Sequence, residues 1–282
     1  MPEMAVVSST RRRAPISRPL AIGSFLLAIF AAISLCGPAI APYDPTAQDL
    51  LALLAPPSGA HWFGTDELGR DILSRALVGT RITMMIALVP VLLAGIAGVA
   101  LGLVSGYFAG ALDRILTGFV DLLMTIPGMV LAIAIVAIVG ANAVGLIVAI
   151  TLSSIPPLAR LIRGRVRELR EEDYVSAAIS VGMSRARVLL RHVLPNAASV
   201  ILIQLSLLAG QAVLIASALG FLGLGVQPPA PEWGAMLGTG RQYIEVAPHV
   251  IVAPGIAIAL LVLAFNMLGD GLRDRFDPNL IR

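Results

Sequence analysis

The chain has 282 residues, of which 57% are hydrophobic and only 13% charged, and its formal net charge is +3. A soluble domain carries about a quarter charged residues, so this composition belongs in a bilayer and excludes the soluble globular classes. All 20 basic residues are Arg, and without Lys there is no P-loop, protein-kinase or Schiff-base chemistry. The single cysteine, Cys36, excludes an internal disulfide framework and any multi-cysteine metal site. The arginines lie between apolar stretches, which fits membrane lipid headgroups and partner contacts and argues against nucleic acid.

The first uncharged run, Pro19 to Tyr43, is longer than the roughly 7–15 residues of a signal-peptide core. Pro42 directly behind Ala39-Ile40-Ala41 disfavours cleavage, so the run reads as a retained first membrane helix, residues 20–42, with Cys36 as a small apolar filler. A cytoplasmic tail, residues 1–19, precedes it, and an external segment, residues 43–80, follows. The next uncharged stretch predicts a second helix over about Ile82–Ser105. Leu122 to Ala159 holds no charge, enough for nearly two crossings of about 20 residues each. Gly140 to Gly145 is the turn that divides it into helices three and four. An Arg-rich segment, about 160–196, comes next, then helix five over Ala197–Leu224 and helix six over Val250–Leu268. The expected fold is therefore all-α and integral to the membrane, with a core over 81–270 and a tail over 271–282. With the N-terminus inside, 16 arginines fall on the cytoplasmic side and four outside. That asymmetry predicts both termini cytoplasmic.

Ala94, Gly98, Gly102, Gly106 and Gly110 recur every four residues and form one smooth helix face for close packing. Pro90, Pro127 and Pro156-Pro157 free carbonyls within helices, and the last pair reads equally as a static kink or a hinge. Asp121 is the one carboxylate near a span, and pairing with a cytoplasmic arginine is its expected role. Gln204, Gln211 and Asn266 are expected to make interhelical hydrogen bonds. His61, His192 and His249 are scattered, and no catalytic constellation is present. Asp66, Glu67, Arg70, Asp71 and Arg75, with Leu68, Ile72 and Leu73 at helical spacing, predict a short interfacial helix. It either braces the subunit or contacts a partner outside.

The cytoplasmic segment carries the most information. Glu171-Glu172-Asp173 places negative charge where a helix beginning near Tyr174 needs it. Ala177-Ala178 leaves that helix smooth, and Gly182 supplies a left-handed turn to end it. Ser184 can cap a second helix, Arg185 to Leu194, in which Arg187 and Arg191 share a face and which Pro195-Asn196 closes. Two short helices about a glycine turn make a knob suited to a cleft in another protein.

Tyr174 to Gly182, followed by Arg191 to Asn196, resembles the EAA loop of ABC importer permeases, the coupling element that docks on an ATPase subunit. Residue by residue, Ala177, Ala178, Gly182, Leu194 and Pro195 match that motif, and Ser176 stands where the family has Glu. Phe63 to Arg75, Phe221 to Pro229 with Glu232-Trp233-Gly234, and Leu268 to Asp274 resemble further blocks of the C-type permeases for dipeptides, oligopeptides and nickel. The resemblance runs from about Asp44 to Asn279. It implies six transmembrane helices of the type I ABC importer fold in a bacterial inner membrane. It also implies a non-enzymatic permease that binds no cofactor, with ATP and Mg held by partners. Those partners are a B-type permease, two ATPase subunits and a periplasmic or lipid-anchored solute-binding protein. The implied loop residues are Ser176, Ala177, Ala178, Gly182, Arg187, Leu194 and Pro195; Asp66, Glu67, Arg70, Asp71, Arg75 and Trp233 are the external contacts. Dipeptides or short oligopeptides are the expected cargo, with nickel or a metal chelate as the alternative. A stand-alone ion-coupled carrier would need paired carboxylates within the membrane, and a membrane enzyme would need clustered His, Asp or Glu; neither pattern occurs.

Overall fold

The computed structural model describes residues 17–276, so the basic cluster Arg11–Arg13 and the far C-terminal tail lie outside the described residues. Ten α-helices follow one another in this region: α1 (Arg18–Ile40), α2 (Ile72–Tyr107), α3 (Ala111–Met124), α4 (Gly128–Val139) and α5 (Ala143–Arg170), then α6 (Asp173–Ser180), α7 (Arg185–Val188), α8 (Leu194–Phe221), α9 (Trp233–Gly240) and α10 (His249–Phe276). Five segments are long and apolar enough to cross a bilayer: α1, α2, α5, α10 and the run Arg185–Phe221 that ends in α8. A sixth crossing exists only if α3 and α4, bent 86° to each other, are counted together.

Charge-free runs mark hydrocarbon, not helix ends, and the boundaries shift accordingly. α2 begins at Ile72 instead of Ile82, because Asp71 caps it by accepting from the Ser74 N–H at 2.7 Å. α5 continues past Ala159 to Arg170, carrying the arginines from Arg160 onward on a helix that leaves the membrane. Pro156 and Pro157 sit inside this unbroken helix. The break falls at Pro127 instead, between α3 and α4. There the chain turns through Thr125 and Ile126, since the residue before a proline resists helical backbone.

α2 packs on α5 through its glycine face. A Cβ at Gly98 would stand 3.0 Å from Leu158, at Gly102 2.7 Å from Ile162 Cβ, and at Gly106 2.8 Å from the Arg163 carbonyl. The stripe thus provides close helix packing, as lipid-embedded pairs require. Gly110 is not part of it: its φ is +106° and it precedes α3 at a turn. α1 leans on α10 and α2, while Cys36 is exposed, not packed as a filler. Gln204, Gln211 and Asn266 make no hydrogen bond to another helix among the described residues; Gln211 is exposed along α8.

Candidate functional site

The structure sets two polar regions at opposite ends of the helices. At one end, the segment between α1 and α2 is not the expected interfacial helix. It is a looped clasp closed by a bridge from Thr65 to Asp71. Helix is ruled out because Asp66 turns the chain on itself, accepting from the Leu68 and Arg70 N–H groups at 2.9 and 3.0 Å. Asp66, Arg70, Asp71 and Arg75 are all buried. Arg70 Nε donates to Asp66 at 2.7 Å, its other nitrogen to Glu67 at 2.8 Å, and Arg75 Nε lies 3.3 Å from Asp66. Arg75 also donates to the Pro45 carbonyl at 2.9 Å. His61 bonds Asp71 at 3.0 Å and His249 reaches the Thr65 carbonyl at 3.3 Å, so both histidines join the clasp.

Charges buried this deeply persist only because each meets an opposite partner. Arg75→Met is expected to cost about 1–3 kcal/mol by leaving the half-buried Pro45 carbonyl without its donor while Arg70 still holds Asp66, whereas Arg81→Ala, at an exposed position, is expected to be neutral. Thermal unfolding of the detergent-solubilised protein measures both.

Glu232 and Trp233 extend the clasp to α9. Glu232 is fully buried and accepts from the Gly234 and Ala235 N–H groups at 2.9 and 2.8 Å, capping α9. Trp233 is buried, donates its indole N–H to the Ala76 carbonyl at 2.9 Å and sets its edge against Phe30. Burial pushes the Glu232 carboxyl above its usual 4.5, opposed by those two N–H bonds and the Thr83 hydroxyl. With the folded value raised, the contribution of this group to stability is complete below pH 4.5 and lost as pH rises through the raised value. Glu232→Gln, which turns an NH2 toward an N–H donor, is expected to cost about 1–3 kcal/mol and to flatten that pH dependence in unfolding measurements. The sequence marks Glu232 only through the resemblance of the Glu232-Trp233-Gly234 block; nothing local announces its burial.

The opposite end carries the knob. α6 begins at Asp173 and buries Val175 and Ala178, leaving Tyr174, Ser176, Ala177 and Ile179 outward. Gly182 has φ of +84°. The Met183 N–H returns to the Ala178 carbonyl at 3.2 Å and the Gly182 N–H to Ile179 at 2.9 Å, the two bonds of a Schellman turn. Ser184 precedes α7, but its side chain makes no capping bond, contrary to expectation. Pro195 does not end the helix as expected. A π turn over Leu189–Val193, with the Leu194 N–H bonded to the Leu189 carbonyl, absorbs the missing donor, and the helix runs on into α8. Arg185, Arg187 and Arg191 are exposed, Leu194 is half-buried and Pro195 is exposed. The knob therefore shows small and apolar residues on α6 beside a basic second arm.

Beside it, α3 is tied to α5. Asp113 accepts from Nε and Nη2 of Arg163, at 2.7 and 2.9 Å, and Asp121 pairs with Arg160 as expected. The Asp113 pair escapes a sequence reading, in which Asp113 is only the charge that ends a span. Among the described residues no group of three His, Cys, Asp or Glu could hold a metal.

Residues 98–282 match the family described as the binding-protein-dependent transport system inner membrane component. The chain is 45% identical over 262 residues to the glutathione transport system permease protein of Pectobacterium atrosepticum, covering 93% of this chain and 87% of that one. It is 41% identical over 259 residues to the dipeptide transport system permease protein of Alkalihalophilus pseudofirmus, covering 92% and 85%. Its fold is similar to a chain of the inward-facing MetNI methionine ABC transporter, with a TM-score of 0.59 at 17% identity, over 71% of this chain and 95% of that chain. These matches and the helices that carry them place the chain in the family of inner-membrane permeases of binding-protein-dependent ABC importers, subunits that are neither catalytic nor cofactor-binding themselves.

Proposed function

We propose that this chain is the C-type permease of an ATP-driven importer of short peptides, glutathione included. Two relatives above 40% identity are named for glutathione and for dipeptides, cargoes that share a peptide backbone with charged termini. The knob of α6, Gly182 and α7 docks on an ATPase subunit; its Schellman turn is the observation that carries this reading. Ser176 and Ala177 form the small-residue face, Ala178 packs α6 from beneath, Arg187 lies on the basic arm, and Leu194-Pro195 joins the knob to α8. Both termini and the knob are cytoplasmic, and the clasp of Asp66, Glu67, Arg70, Asp71, Arg75 and Trp233 braces the external end. A B-type permease completes the pathway, two ATPases hold ATP and Mg, and a periplasmic or lipid-anchored binding protein selects the cargo.

Alternating access follows from this division of labour. Closure of the ATPases moves the knob, and the continuous helix Arg185–Phe221 carries that displacement into the membrane. Uptake of labelled dipeptides, glutathione and nickel by the importer reconstituted with its binding protein tests the cargo. ATP-dependent uptake of peptide supports the proposal, and uptake of nickel without peptide contradicts it.

A further inference from the structure

The helix α3 has two unlike faces. Asp113, Thr117, Val120 and Asp121 turn toward α5, where Arg163 and Arg160 meet the two carboxylates. On the opposite side Leu112, Ile115, Phe119 and Leu122, spaced by three or four residues, form an exposed apolar stripe, with Phe119 at 59% exposure.

Its attitude follows from the break at Pro127: α3 is bent 86° from α4, and α4 packs along α5, so α3 crosses α5 nearly side-on. Asp113 and Asp121 meet Arg163 and Arg160 at that crossing. The depth follows from α5 itself, which descends about 27 Å from Asn142 to Arg160 and about 32 Å to Arg163. A bilayer's hydrocarbon is about 30 Å thick, so these arginines stand at its far edge. α4, with 12 residues, spans only about 18 Å, so the crossing stops short and α3 lies beneath it. Arg114 and Arg167 are exposed at the same level, where anionic headgroups attract them.

We propose that α3 is an interfacial helix lying in the leaflet on the knob side, with Leu112, Ile115, Phe119 and Leu122 against lipid acyl chains and the arginines of α5 at the headgroups. The third crossing is then a short one, in which α4 enters the bilayer for about 18 Å and α3 forms a floor beneath it. The polar face of that floor is fastened to the helix that leads into the knob. The inference rests on membrane embedding and on this geometry, and holds whatever the cargo.

A nitroxide label at Phe119→Cys in a Cys36→Ser background, in the complete importer reconstituted in phosphatidylethanolamine–phosphatidylglycerol nanodiscs, tests it. Collision with oxygen is expected to exceed collision with a water-soluble nickel chelate severalfold, while a label at Leu51→Cys, 99% exposed in the clasp segment, shows the reverse. Low accessibility to both reagents would mean that the stripe is covered by the second permease, and dominant nickel contact would mean that it faces water; either overturns the proposal. Ile115→Cys, on the same stripe, gives the same reading if the first variant fails to assemble.

Discussion

Gly182→Val is expected to leave the permease in the membrane and paired with its partner while abolishing most peptide uptake. The φ of +84° at Gly182 is a backbone state that a β-branched residue meets at a cost of roughly 1–2 kcal/mol. No heavy atom stands within 4 Å of where its Cβ would be, so strain, not collision, is the whole effect. That is too little to unfold the helices. The turn can relieve it by breaking the Met183 and Gly182 bonds that close α6, which lets α6 and α7 swing apart. The exposed face no longer fits its cleft, and ATP hydrolysis ceases to respond to substrate. Gly182→Ala, with a smaller penalty, is expected to be milder. Ser176→Glu is expected to be tolerated, because Ser176 is exposed on α6. Uptake and substrate-stimulated ATPase activity of the reconstituted complex measure all three; normal uptake with valine would move the coupling role away from this turn.

Gly102→Val is expected to fail in the opposite way, by loss of the folded protein. Its Cβ would lie 2.7 Å from Ile162 Cβ and 2.8 Å from the Ala159 carbonyl, neither of which can retreat without parting α2 from α5. Overpacking of this kind costs about 3 kcal/mol or more. Because Gly98 and Gly106 make similarly close approaches, separation at one point loosens the whole seam. Gly118→Ala on α3, where no atom lies within 4 Å, is the matched control and is expected to be silent. The amount of each variant recovered from membranes, and its unfolding temperature in detergent, distinguish the two.

Local patterns in the sequence carry the first half of the knob, α6 and its glycine turn. Acidic residues before a helix, alanines within it and a glycine after it are all read within one short segment, and the chain folds there by short-range bonds. The clasp escapes such a reading, because charges of both signs over Asp66 to Arg75 look like a solvated helix face. Only contacts with Pro45, His61 and Pro229, distant in sequence, bury them. α3 escapes for a related reason: Asp113 reads as the end of a span, when its partner Arg163 lies on another helix 50 residues later. Pro195 misleads because a proline normally closes a helix, whereas a π turn here accommodates it.

Photo-crosslinking from position 181 tests the coupling claim most directly. Val181 is 79% exposed at the tip of α6, next to the Gly182 turn. A photoreactive residue there, in the assembled importer, is predicted to form its principal adduct with an ATPase subunit, and the yield is predicted to change when ATP is trapped. An adduct with the solute-binding protein, or with lipid alone, would contradict the assignment of this knob as the element that receives the work of ATP hydrolysis.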